Sequence, residues 1–139
     1  MSKIYEDEFM EIQSGIISLC LELVENKADM VYAYGSIEEK STSFNAFFEI
    51  NGEIRTLNEL NIETNLIWEF MDLGISDLKK LRELCKSYDQ PAPTELKMIY
   101  DVDTGKYDAD YQYDEISSAK TGIDSSQIFS EWINEVKAK

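Results

Sequence analysis

The sequence predicts an α+β domain. It should hold an antiparallel sheet of about five strands, with helices packed mainly on one side, in the order α-β-β-β-α-β-β-α. Three observations lead there. Stretches with helical spacing of apolar residues open, divide and close the chain. The segments between them alternate apolar and polar residues with the two-residue period of strands. Asn51-Gly52 sits directly between two alternating runs, a strong hairpin signal because both central residues need positive φ. Strands grouped between helices, without a regular β-α-β alternation, favour an antiparallel sheet.

Residues 4–26 read as the first helix. Phe9, Ile12, Ile16, Leu19 and Leu23 recur at steps of three and four, and Ile17, Cys20 and Leu21 widen the stripe. Glu6, Asp7 and Glu8 would fall in its first turn, where carboxylates favour the helix dipole. Asp29 to Ile37 reads as a strand rich in Val, Tyr and Ile. Glu38 to Ser41 is a polar connection. In the strand Ser43–Ile50, Phe44, Ala46, Phe48 and Ile50 share one face. Phe47 lies on the other, either as a contact residue or under a loop. After Asn51-Gly52, Glu53–Leu57 pairs back as a third strand.

Helical spacing returns from about Asn61 to Tyr88. Gly74 offers a break there, with Ser76 as a second N-cap. Pro91 and Pro93 then stop the helix. Leu96, Met98, Tyr100 and Val102 alternate on the fourth strand, and Asp103-Thr104-Gly105 forms a turn. Tyr107, Ala109, Tyr111 and Tyr113 alternate on the fifth. Leu96, Met98, Tyr100 and Tyr107 are expected in the core. Asp108, Asp110 and Gln112 share the opposite face with Glu95, Lys97, Ile99 and Asp101. A polar loop over 114–124 leads to a last helix, capped by Asp124 or Ser125 and buried along Ile128, Phe129, Trp132, Ile133 and Val136.

At 139 residues, residues 1–139 form a single domain, long enough for one core and too apolar, at 43% hydrophobic, for a disordered chain. No apolar run reaches the roughly 18 residues of a membrane span, and the acidic start is unlike a signal peptide. A cytoplasmic protein with no membrane partner is expected. Cys20 and Cys85 each lie in a helical pattern and read as buried free thiols. The chain has no histidine. That removes Ser-His and Cys-His nucleophiles, histidine general bases and most transition-metal sites.

The net charge is −15, from 28 acids and 13 bases. Both halves are acidic, so the excess is a property of the whole surface and not of a tail. Such a surface repels nucleic acid and anionic membranes and speeds encounter with basic proteins. Lys79, Lys80, Arg82 and Lys86 make the one basic helix face, without the aromatic interleaving of a nucleic-acid site.

Residues 101–115 carry six acids, Asp101, Asp103, Asp108, Asp110, Asp114 and Glu115, against one base, Lys106. A calcium loop fits them poorly. Gly105 falls at the fifth loop position, where a ligand belongs, and Gln112 stands where the bidentate Glu should be. Paired carboxylates such as Asp108 and Asp110 suit acid–base work in principle, but an exposed strand face without a partner base, a Gly-rich loop or a metal cluster gives no way to drive their pKa values apart. No phosphate loop, dinucleotide fingerprint, nucleophile elbow or zinc signature is present. The expectation is a binding protein that is not an enzyme, with no catalytic residue, cofactor or metal. Its contact surface would be Asp101, Asp103, Asp108, Asp110, Tyr111, Tyr113, Asp114 and Glu115. Aspartates pair with Lys and Arg, and tyrosines add rigid contact area. Tyr107, Tyr111 and Tyr113 also alternate as packing residues do.

The chain resembles the YezG-like family of bacterial immunity proteins, the antitoxins of secreted polymorphic nuclease toxins. Three places carry the resemblance. They are MVYAYGSIEE with its FFEINGEI hairpin, the stretch PTELKMIYDVDTGKYDADYQYDE, and the ending SSQIFSEWINEV, similar to the family's Phe-x-x-Trp helix. Together they follow the family's order from about residue 5 to 136. The resemblance implies a cytoplasmic inhibitor that binds the nuclease domain of a cognate toxin. The alternative is an acidic adaptor or secretion chaperone that holds a basic partner without inhibiting it.

Overall fold

The computed structural model describes residues 2–38, 41–113 and 125–139. Among these, three α-helices accompany one five-stranded antiparallel sheet, in the predicted order. Helix α1 spans Ser2–Leu23, and strands β1, β2 and β3 span Met30–Ile37, Thr42–Ile50 and Glu53–Thr56. A short 3-10 turn, Leu57–Glu59, precedes α2 at Thr64–Ser87. Strands β4 and β5, Glu95–Asp101 and Tyr107–Gln112, and helix α3, Ser125–Lys137, complete the chain. The spatial order is β3-β2-β1-β4-β5, so β1 is central.

Local chemistry ends these elements where the sequence indicates. Asn51 and Gly52 both take positive φ, 53° and 80°, as the two-residue hairpin requires. Both long helices close in the same way. Asn26 N–H donates to Leu21 O and Glu25 N–H to Glu22 O after α1; Gln90 N–H donates to Cys85 O and Asp89 N–H to Lys86 O after α2. Glu25 and Asp89 adopt the left-handed conformation of this paired cap. The 3-10 turn carries a capping box in which Glu59 accepts from the Thr56 backbone and hydroxyl.

Alternation along the strands divides the apolar residues between two faces. Val31, Ala33, Phe44, Ala46, Phe48, Leu96 and Met98 form the larger core with Ile16, Cys20, Phe70, Leu78 and Leu81 from α1 and α2. Tyr32, Tyr34 and Phe47 lie on the other face under Phe129 and Trp132 of α3. Two of the three helices thus share one side, and α3 covers the other. Tyr32 and Phe47 are cross-strand partners whose rings stack 3° from parallel at 4.5 Å, and Trp132 meets the Phe47 ring edge-on at 5.0 Å.

Four expectations are corrected by this packing. Phe47 is fully buried beneath α3 and is neither a contact residue nor covered by a loop. The second long helix does not break at Gly74, and Ser76 is an interior residue of α2, not a cap. Gly74 instead lets α2 settle onto the sheet, because a Cβ there would overlap the Phe44 ring. Helix α1 starts at Ser2, so Glu6, Asp7 and Glu8 lie beyond its first turn and gain little from the dipole. Tyr100 and Tyr107 pack against the core but stay half-buried, since they face each other at the turn end of the hairpin, where β5 is the outermost strand of the sheet. Cys20 and Cys85 are buried and unpaired, as expected. The 114–124 loop and the candidate cap Asp124 lie outside the described residues.

Candidate functional site

The acidic stretch is the β4–β5 hairpin at one border of the sheet. Its register pairs Lys97 with Asp110, Ile99 with Asp108 and Tyr100 with Tyr107. The turn is built by Asp101 and Gly105. Asp101 Oδ1 accepts the backbone N–H groups of Asp103 and Thr104, at 3.1 and 3.3 Å. Gly105 takes φ 74° and donates its N–H to Asp101 O. A turn of this kind uses a short carboxylate to replace backbone partners. Asp101 is therefore half-buried and engaged, while Asp103 is exposed at the tip.

The strand then splits the predicted surface in two. Asp108 and Asp110 are exposed on the α3 side. Tyr111 points to the opposite, α1 side, half-buried, with its ring 5.6 Å from Phe9 and its hydroxyl donating to Gln13 Oε1 at 2.9 Å. Tyr107 donates to the same oxygen. Gln13 has no exposed surface, so its carbonyl ties α1 to β5 through two tyrosines. Tyr113, just past β5, is 51% exposed. Asp114 and Glu115 lie outside the described residues. The structure thus brings Asp108 and Asp110 together, places Asp101 and Asp103 at the turn beside them, and sets Tyr111 and Tyr113 on the other face.

Next to Asp108 and Asp110 a hollow of about 360 Å³ opens between the hairpin and α3, lined by Lys97, Ile99, Trp132 and Glu135 as well. Lys97 Nζ sits 5.8 Å from the Trp132 ring centre, within range of a cation–π contact. Among the described residues, Lys97 is the one base in a lining that holds three carboxylates. Farther along the same face, Glu49 and Asp101 flank Tyr32, and their charges add to burial in pushing its phenol above the usual value. Strand alternation alone puts Lys97 and the aspartates on one face. It carries no signal that Trp132 and Glu135 of α3 complete the hollow.

One carboxylate here is structural. Glu95 is buried and accepts the Tyr34 hydroxyl at 2.9 Å. Burial and then the Glu95 charge hold the Tyr34 phenol well above its ordinary pKa. The exposed carboxylates offer a different chemistry. They present two acceptor oxygens each, two residues apart on a rigid strand, to any Lys or Arg that approaches. Among the described residues no three His, Cys, Asp or Glu side chains converge to hold a metal ion.

No protein-family model matches the chain, and no curated protein matches it. Among the described residues, no helix is long and apolar enough to cross a membrane.

Proposed function

We propose that this chain is an immunity protein that binds and neutralises a cognate toxin, the nuclease domain of a secreted or contact-dependent toxin, in the cytoplasm of the producing cell. It works by occupying the toxin's basic substrate cleft and performs no catalysis. The observation that carries this reading is the pair Asp108 and Asp110, exposed side by side on a strand of the sheet in a chain of net charge −15. A nuclease cleft is basic because it holds phosphates. A fixed row of carboxylates takes the place of those phosphates and pairs with the same Lys and Arg side chains. The resemblance of the hairpin and of the Phe129–Trp132 helix to the YezG-like pattern supports the same conclusion.

The test is co-expression with the C-terminal domain of a large secreted protein encoded beside this chain. Survival of the host, a complex of the two purified proteins and loss of nuclease activity in that complex are the expected results. Asp108→Asn/Asp110→Asn should weaken all three. A complex that forms while nuclease activity persists would replace the inhibitor with an adaptor or secretion chaperone. Full protection by the double variant would move the contact away from the hairpin.

A further inference from the structure

A second surface lies on the far side of the sheet from Asp108 and Asp110. Where the C-terminal end of α1 meets the N-terminal end of α2, a hollow of about 520 Å³ opens. Its floor is apolar: Leu19 and Leu23 from α1, Phe70 and Leu73 from α2. Leu66 and Leu73, seven residues apart on one side of α2, are 50% and 46% exposed. Single exposed leucines are ordinary; two on one flank beside an open apolar floor form a patch. The charged residues around it are Glu22, Glu25, Glu63 and Glu69, all exposed, and among the described residues no base lines it.

We infer that this groove docks a cationic amphipathic helix of a partner protein. The floor calls for apolar side chains. The separation of Leu66 and Leu73, about 10 Å along the axis, matches the anchor spacing of a helix laid in a groove. The rim selects the charge of the occupant. A second copy of this chain would bring four more glutamates against the four already there, at an overall charge of −15 on each protein. An anionic lipid surface meets the same repulsion. A helix with Lys or Arg flanking its apolar stripe satisfies both floor and rim. The groove goes beyond the toxin reading, because it lies on the opposite face and fits its occupant whether or not the aspartate row inhibits a nuclease.

The probe is a fluorescein-labelled 18-residue Leu/Lys amphipathic peptide, with a Leu/Glu peptide of the same apolar pattern beside it, at 150 mM salt. The Leu/Lys peptide should bind and the Leu/Glu peptide should not. Leu66→Ser/Leu73→Ser and Glu22→Gln/Glu69→Gln should each weaken binding at least tenfold. These side chains are exposed or half-buried, and circular dichroism checks that each variant is folded. Glu11→Gln/Glu83→Gln, two exposed acids of the helix pair outside both the groove and the hairpin, removes the same charge elsewhere and should change binding less than twofold. Equal weakening by that control would reduce the effect to general attraction and overturn the proposal. So would absence of binding, or indifference to the groove variants. A dimer in sedimentation that Leu66→Ser/Leu73→Ser dissolves would assign the groove to a second copy instead. No toxin enters this assay, so its outcome and that of the protection test are read separately.

Discussion

Gly74 of α2 lies against the ring of Phe44 on β2, with no room between them for a methyl group. Phe44 cannot easily give way, because its ring also packs on Phe70 at 5.2 Å. Gly74→Ala should therefore destabilise the fold, with about 1–3 kcal/mol of overpacking outweighing a helix-propensity gain of up to about 1 kcal/mol. Gly15 is the internal control. It lies in α1, and a Cβ added there would meet nothing within 4 Å, so Gly15→Ala should stabilise by about 0.5–1 kcal/mol. Urea midpoints of the two variants should move in opposite directions.

Gln13 is the acceptor for both Tyr107 and Tyr111. Gln13→Leu should cost about 1–3 kcal/mol, since it leaves two half-buried hydroxyls without their partner. Tyr111→Phe alone should cost about 1 kcal/mol. In the Gln13→Leu background the same change should cost much less, a coupling that a double-mutant cycle on chemical denaturation reads directly.

Alkaline pH should unfold the protein through its tyrosines. Burial raises the phenols of Tyr34, Tyr107 and Tyr111 in the folded state. In the unfolded chain they ionise near pH 10. Above that pH the unfolded state holds fewer protons than the folded one, so stability falls as pH rises; below it this contribution is fully present. Burial also raises the Cys20 thiol, which ionises at about pH 8.5 in the unfolded chain. Denaturation midpoints measured from pH 7 to 12 should therefore begin to decline at about pH 9 and fall more steeply above about pH 10. The decline should be shallower in Tyr107→Phe.

The two tryptophans report separate sides of the molecule. Trp132, on the sheet-facing side of α3, is 5% exposed, and Trp68 on α2 is 68% exposed. Trp68→Phe should leave blue-shifted emission that iodide quenches poorly. Trp132→Phe should leave red-shifted, readily quenched emission. Trp132→Ala should cost about 3–5 kcal/mol, as for large aromatic truncations in cores.

Asp108→Asn/Asp110→Asn should leave stability within about 0.5 kcal/mol of the parent, as surface changes do. The same variant should associate more slowly with a basic toxin domain, and the difference should shrink as salt rises, because screening removes long-range steering. Stopped-flow association at two ionic strengths measures both effects.

Much of the architecture was legible because local rules carried it. Asn51-Gly52 could form only a tight hairpin, and the two-residue period of β4 and β5 assigned Leu96 and Met98 to the core and Asp108 and Asp110 to solvent. The stripe Phe129, Trp132 and Ile133 announced a buried helix face. What it would bury was not written locally. The cover over Phe47 comes from α3, more than 80 residues downstream. The close approach that needs Gly74 depends on Phe44, 30 residues upstream, so the same glycine read from its neighbours alone looks like a helix breaker. Of the site, the aspartate row was readable from alternation. Its partition from Tyr111 followed from the same parity, but Gln13 as the anchor of that tyrosine did not, because a glutamine in a helical stripe has no sequence signal that marks it as buried.

The division of β5 into two faces has a consequence for how such a protein can change over time. Tyr107, Ala109 and Tyr111 are committed to neighbours on α1 and in the core, so each replacement there is tested by the whole fold. Asp108 and Asp110 have no such commitments, and substitutions at exposed sites of this kind are close to neutral for folding. One side of the strand is thus held fixed while the other is free to drift. A lineage could rewrite the charges it shows, residue by residue, and pass through no unfolded ancestor on the way.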